Sequence, residues 1–403
     1  MMNAPVSSGM TRIVQLDALR GLAVMGIAWM NVLIFAMPAP AYFNPMAWGG
    51  QSGLDMLAWA GSFVFVEDKF RTLFAILFGA GFAILFEQSG AHPWRAHYAR
   101  MAALFLIGLA HATLLASNDI LRAYALAGML LPLFAQLSNV ALIACSIGLV
   151  AAHVGFGIAF TGVGVWDWFS GRLGSDAVQF AERNFGADPA AIQFLLEQGR
   201  ESLAERIERR SANLGAQLTA VVGSVPLNLA GIVLGMALWR NGMLAGTWRT
   251  FRLQRLAALC ALAALPPLFL LANWVSESGF PGVLAGPVAL VFSAPFDTLL
   301  GLAYAAVAMV LFVPDGTITR ALAAVGRLSL TNYVATSLIL AALYASWGLG
   351  LFGEVSRSAA VASIVLPLGG MLLWSPLWLR YFGQGPLERT WRMAARALAR
   401  MAG

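Results

Sequence analysis

One histidine in this chain stands where a proton could be moved. His111 lies near the end of an apolar run, in Gly108-Leu-Ala-His111-Ala, and Asn118-Asp119-Ile-Leu-Arg122 and Tyr124 follow closely. A short turn at Asn118-Asp119 joins two antiparallel helices and returns Tyr124 toward His111. Imidazole titrates near neutral pH, so His111 is the candidate general base, with Asp119 and Tyr124 beside it. Asn31 sits in the same third of an earlier apolar run, and Lys69 and Arg71 open the next one. These six residues are expected to converge on one outward-facing cavity. His92 and His97 fall in a basic loop and read as solvated; His153, in a Gly-rich run, reads as a packing residue.

A second polar series runs along the first apolar helix. Asp17, Arg20 and Asn31 are spaced by 3 and 14 residues between first and second and between first and last. That spacing puts them near one helical face over roughly 21 Å, most of the way through a hydrocarbon core of about 30 Å. Such a face turns inward, away from lipid. Simpler roles stay open: a helix-start acid with an anchoring base, and an asparagine that only joins helices. Asp297, beside Pro295 in a long apolar run, is an intramembrane acid and hence a binding or relay candidate, or else a partner for a base such as Arg20. Asn332, in the polar patch Ser329, Thr331, Asn332, Tyr333, is a further binding candidate or helix glue.

The elements that must position these residues follow from composition. The chain has 403 residues, 60% of them hydrophobic and 11% charged, with a mean hydropathy of +0.75. A soluble domain carries nearer 25% charged residues. Backbone groups in lipid must be satisfied internally, and the apolar runs are about 20 residues long, which gives helices and not barrel strands. The fold class is therefore all-α, a polytopic membrane protein of about ten spans: 20–37, 70–87, 99–116, 119–136, 138–160, 216–239, 253–273, 286–313, 321–345 and 359–380. Residues 1–160 form one bundle, 161–215 an extramembrane loop of one or two helices, and 216–403 a second bundle. In the loop, Glu205 and Arg209 stand at a favourable four-residue spacing. Gly53–Val66 reads as a re-entrant or interfacial helix.

The net charge of +6 is almost all arginine, with Lys69 the one lysine. The arginines cluster at the ends of apolar runs, an orientation signal that places both termini in the cytoplasm and the chain in the cell inner membrane. That pattern excludes nucleic acid as the partner; the lipid bilayer and a small-molecule or lipid-linked ligand take its place, and homo-oligomers stay open. Cys145 and Cys260 lie inside apolar runs, and no phosphate loop, dinucleotide fingerprint or metal-spaced Cys/His set occurs.

The opening Leu16-Asp17-Ala-Leu-Arg20-Gly21 with Asn31 resembles that of the YeiB-like family, a bacterial family of unknown function. The likeness continues through Lys69-Phe-Arg71-Thr-Leu-Phe74, Leu77-Phe-Gly79-Ala-Gly81-Phe82, the His111 and Asp119 segments, and Tyr124-Ala-Leu-Ala-Gly128. It ends with Gly326-Arg-Leu-Ser-Leu-Thr331-Asn332-Tyr333, Gly348-Leu-Gly-Leu-Phe-Gly353 and Phe382-Gly-Gln-Gly385-Pro-Leu-Glu388. Over about the first 80 residues the chain also resembles transmembrane acyltransferases such as heparan-alpha-glucosaminide N-acetyltransferase. Those enzymes carry an acyl group from cytoplasmic coenzyme A to a hydroxyl or amine across the membrane. They place a catalytic histidine beyond the matching asparagine, where this chain has Pro40-Ala-Tyr-Phe-Asn44. The resemblance implies acyl-coenzyme A as a co-substrate, with no tightly bound cofactor. His111 would then supply the base from another span, with Asn31 orienting the substrate or acyl carbonyl and Arg20, at the cytoplasmic end, placed for a coenzyme phosphate. The leading expectation is a membrane acyltransferase; the alternative is a transporter of a small amphiphile using Asp297, His111 and Arg20.

Overall fold

Two glycines let the first apolar helix reach the centre of the bundle. α1 (Val14–Ala36) crosses α15 (Thr317–Arg327) so closely that a Cβ on Gly21 would lie 2.1 Å from the Leu322 carbonyl oxygen, and one on Gly326 would lie 1.8 Å from that of Asp17. The Gly21 that follows Arg20 is thus a packing requirement. The computed structural model describes residues 14–50, 52–87 and 93–401, and among them the chain forms helices and turns with no strand.

Pro38 and Pro40 end α1, and one turn follows as α2 (Pro40–Phe43). α3 (Gly53–Phe65) starts from a capping box between Ser52 and Asp55. α4 (Lys69–Glu87) begins after Asp68, whose φ of 59° breaks the helical path. α5 (Pro93–Leu114) carries His111 in its last turn, and α6 (Ile120–Met129) returns against it. α7 (Asn139–Phe169) leads to three short helices, α8 (Asp176–Phe185), α9 (Pro189–Gly199) and α10 (Leu203–Ala212), which form a cap. The chain re-enters through α11 (Leu214–Arg240) and α12 (Thr250–Glu277), then α13 (Gly282–Pro287), a π turn at Val288–Phe292, and α14 (Ala294–Leu311). α15, α16 (Ser329–Tyr344), α17 (Arg357–Ser363), α18 (Val365–Phe382) and α19 (Pro386–Met401) complete it.

Among the described residues seven stretches are long and apolar enough to cross a membrane: α1, Gly53–Glu87, α7, α11, α12, α14 and Arg357–Phe382. The protein is a multi-pass, all-α membrane protein. α7 shows its lipid side plainly, since only 11% of its most apolar window is buried in protein. Several expected spans are broken or resized. The 119–136 segment is a ten-residue helix with a 3-10 turn at Leu131–Leu133. The 286–313 span is cut by the π turn, and 321–345 is cut at Leu328. The 161–215 loop holds the end of α7 and three helices in place of one or two.

The early and late helices interleave. α1 packs on α15, α16 and α4; α4 packs on α11 and α14; α5 packs on α19. Glu388 of α19 ties this together. Its Oε1 accepts from the backbone N–H groups of Leu330 (2.8 Å) and Thr331 (3.1 Å), and its Oε2 accepts from the Thr331 hydroxyl (2.5 Å). One side chain so satisfies the orphan amides at the start of α16 from another helix.

Candidate functional site

A cap-side cavity of about 780 Å³ is bordered by Asn31, Asp68, Arg71, Asp119, Asn228 and the α10 arginines. A terminus-side cavity of about 660 Å³ is bordered by Asp17, Arg20, Phe78, Arg100, Tyr124 and Arg392. Ile27, Ile120 and Tyr333 border both, so one layer of side chains separates them. α1 supplies residues to each, because its polar face runs the length of the bundle as its spacing requires.

His111 stands behind that layer, with 4% of its surface exposed, and lines neither cavity. Its Nδ1 is 2.9 Å from Asp119 Oδ1, with the carboxylate off the N–H direction. Its Nε2 is 2.9 Å from the Ser337 hydroxyl. With the ring proton on Nδ1, Nε2 accepts from Ser337. The Tyr333 ring lies 4.9 Å from the imidazole, and its hydroxyl donates to Asp119 Oδ1 at 3.4 Å. Asp119 also caps α6, accepting from the Arg122 backbone at 3.0 Å. Asp119 and Tyr333 are the members of the group that border the cap-side cavity, while the side chains of His111 and Asp119 are themselves closed to solvent. Ser337 was not singled out from sequence, because a serine in an apolar helix carries no signal beyond helix contact.

The six residues expected in one cavity divide. Asn31, Arg71 and Asp119 line the cap-side cavity. Tyr124 lines the terminus-side one, and its hydroxyl donates to the Arg71 carbonyl at 2.8 Å. His111 and Lys69 line neither. The Asn31 side chain makes no hydrogen bond to another described residue, while Arg71 donates to Asp68 (2.7 Å) and Asn228 (2.7 Å). Lys69 is fully buried, with its ammonium 2.6 Å from Asp297 Oδ1 and donating to the Phe63 carbonyl. Asp297 therefore pairs with Lys69 and not with Arg20, and it lies in the first turn of α14, not mid-span; its Oδ2 accepts from Ser293 at 2.7 Å.

Asp17 and Arg20 face the terminus-side cavity, 3.2 Å apart, and Gly81 leaves room for the guanidinium. Asn332 lies away from both cavities: its amide donates to Val325 and Ser375 (3.0 Å each) and accepts from Trp374 at 2.8 Å, joining α16 to α15 and α18. His97 is buried, not solvated, with Nε2 2.8 Å from the Gly128 carbonyl. His153 borders the cap-side cavity and contacts the Leu290 carbonyl at 2.8 Å. His92 lies outside the described residues. In the cap, Arg209 pairs with Glu201 at 2.9 Å, because Glu205 is taken by the capping box with Ser202. Among the described residues no group of three or more His, Cys, Asp or Glu could hold a metal ion.

Residues 238–397 match the family described as "Protein of unknown function (DUF418)". The Escherichia coli K12 protein named "Uncharacterized protein YeiB" is 31% identical over 394 residues, covering 95% of this chain and 96% of its own length. "Uncharacterized protein YxaH" of Bacillus subtilis 168 is 27% identical over 407 residues, covering 95% and 94%. A Bacillus acidopullulyticus protein, "Uncharacterized 39.9 kDa protein in amylase 3'region", is 27% identical over 396 residues, covering 95% and 93%. No solved structure matches the chain.

Proposed function

The chain belongs to the YeiB-like family, and from that premise and the geometry above we propose that it is a membrane-embedded acyltransferase. The observation that carries the reading is the pair of cavities meeting across Ile27, Ile120 and Tyr333, with Asp119 and His111 at the junction. The chain sits in the cell inner membrane with both ends in the cytoplasm, so the terminus-side cavity is the cytoplasmic one. Acyl-coenzyme A enters there, its phosphates against Arg20, Arg100 and Arg392 and its acyl chain along Phe78 and Leu77. The acceptor, a hydroxyl or amine on a small or lipid-linked molecule, enters the cap-side cavity, where Asn31 orients it.

The acceptor heteroatom attacks the thioester carbonyl, a new C–O or C–N bond forms, and the C–S bond breaks. The acceptor proton passes to the Asp119–His111 couple and then to the departing thiolate, which balances the step. Ser337, 2.9 Å from Nε2, holds the imidazole in place. Apolar walls around a buried couple strengthen its electrostatics relative to water.

Binding of acyl-coenzyme A to the purified protein in detergent, followed by calorimetry, tests this reading. Saturable binding that Arg20→Ala weakens is the expected result; no binding of short or long acyl-coenzyme A overturns it. The buried Lys69–Asp297 pair beside a π turn favours a second reading, transport of a small amphiphile with those residues as a relay. Uptake into vesicles without any acyl donor, abolished by Asp297→Asn, would decide for it.

A further inference from the structure

Helix α10 brings three arginines to the cap-side cavity: Arg206, and Arg209 and Arg210 about one turn beyond it. Arg209 is held by both carboxylate oxygens of Glu201 at 2.9 Å. The hydrogen bonds of the other two, among the described residues, go to backbone carbonyls, and the Glu201 carboxylate attracts both without bonding them. Arg206 donates one bond to the Gly199 carbonyl at 3.4 Å. Arg210 donates from Nη1 to the Ala112 and Thr113 carbonyls at 3.3 and 3.4 Å. A guanidinium has five N–H donors in a planar fork, so most of those on Arg206 and Arg210 are left for a ligand. Burial, with Arg206 and Arg209 close by, pushes the Arg210 guanidinium down to about 10, and an anion set against the three would lift it again.

The cluster is wired to the junction of the cavities. Gln217 Nε2 donates to the Arg210 carbonyl at 2.8 Å, and its Oε1 accepts from Arg122 Nη1 at 3.2 Å. Arg122 Nε lies 3.6 Å from Asp119 Oδ2. Arg210 itself rests on the end of α5, one residue beyond His111. A ligand anchored at α10 therefore reaches toward Asp119, with the unengaged amide of Asn31 bordering the same space. Acidic groups also face it: Asp68 is taken by Arg71, Asp119 by His111 and Arg122, and Glu67 lies among the lining residues.

We propose that Arg206 and Arg210 form a binding site for the phosphate of a phosphate ester whose hydroxylated part extends toward Asn31 and Asp119. Paired guanidinium forks match phosphate oxygens bidentately, which a single ammonium does not. The proposal deepens the acyl-transfer reading only in calling this ester the acceptor; the anion site stands on the arginines alone.

The test uses the full chain in a phosphate-free, uncharged detergent. Dioleoylphosphatidylglycerol, dioleoylglycerol, glycerol 3-phosphate and inorganic phosphate are titrated and followed by the shift in thermal unfolding midpoint. The expected result is binding of a phosphate-bearing probe, no binding of dioleoylglycerol, and an affinity lowered by about tenfold or more in the Arg206→Ala, Arg210→Ala double variant. Arg183→Ala, exposed on α8, leaves affinity unchanged. Binding by the lipid alone identifies a lipid headgroup as the source; displacement of the lipid by glycerol 3-phosphate identifies a soluble ester; both support the site. Equal binding of dioleoylglycerol, no binding of any probe, or an unchanged affinity in the variant overturns it. Should the double variant not fold, Arg206→Gln, which forfeits one bond to Gly199, replaces it under the same criterion. Acyl-coenzyme A is titrated in parallel. Phosphate binding without acyl-coenzyme A binding overturns acyl transfer and leaves the anion site; the reverse overturns the anion site alone.

Discussion

Lys69 and Asp297 face each other at 2.6 Å with almost no solvent on either side chain. Removing one partner of such a pair leaves an uncompensated buried charge, at a cost of about 3–5 kcal/mol, whereas an apolar pair of similar volume is often neutral. Lys69→Met alone is therefore expected to lower the thermal unfolding midpoint in detergent sharply, and Lys69→Met with Asp297→Leu to restore most of it. A double variant that is stable and still transfers acyl groups assigns the pair to structure; one that is stable and inactive assigns it to function. For the Asp119–His111 couple the expectation is kinetic. Asp119→Asn and His111→Gln should each cut acyl transfer by about 10²–10⁴-fold while acyl-coenzyme A binding holds, as loss of a general base does. Sequence reading found Lys69, Asp297, His111 and Asp119, since ionisable groups in apolar runs stand out. It could not pair Lys69 with Asp297: they are 228 positions apart in the chain, and only packing shows that Asp297 meets Lys69 and not Arg20. Ser337 and Asn332 show the limit from the other side. Both are polar residues in one apolar helix, and contacts alone separate the one beside His111 from the one that joins helices.

Helix α1 owes its central place to close contact as much as to its polar face. The Gly21–Gly326 crossing admits no Cβ, so Gly326→Leu must push α15 off α1. Overpacking costs about 1–3 kcal/mol, occasionally more. A fall in the unfolding midpoint is expected, together with loss of Arg20-dependent donor binding, because Asp17 and Arg20 leave the cavity with the helix. Gly21→Val at the same crossing should behave alike; an unshifted midpoint in both would mean the helices separate freely. Long apolar helices were readable in the sequence because period and length report burial in lipid. Their interruptions were not. The π turn before α14 and the break at Leu328 leave backbone groups that other helices must satisfy, and Glu388 does so for α16 from 57 residues away. The Gly-Pro-Leu-Glu388 segment was visible as a motif, but its partner amides were not.

Across the whole molecule, the two cavities are separated by a layer one side chain thick, and Tyr333 is its polar member. Its hydroxyl reaches Asp119 and its ring covers His111, so it divides the two compartments and shields the couple from water at once. Acyl transfer requires that a thioester carbonyl meet an acceptor atom at this layer while water stays out, because water would take the acyl group in the acceptor's place. Tyr333→Ala opens the layer next to His111. The expected outcome is acyl-coenzyme A hydrolysis without acceptor, measured as free thiol released per acyl group transferred, with the ratio raised well above that of the parent protein. Tyr333→Phe keeps the ring and loses only the contact to Asp119, so it should leave the ratio low and reduce the rate. If the protein were a transporter, Tyr333→Ala would release no thiol and would instead let a small solute equilibrate across vesicles. Thiol release and solute leak are measured on the same reconstituted sample, so one variant separates the two uses of a bundle with a cavity on each side.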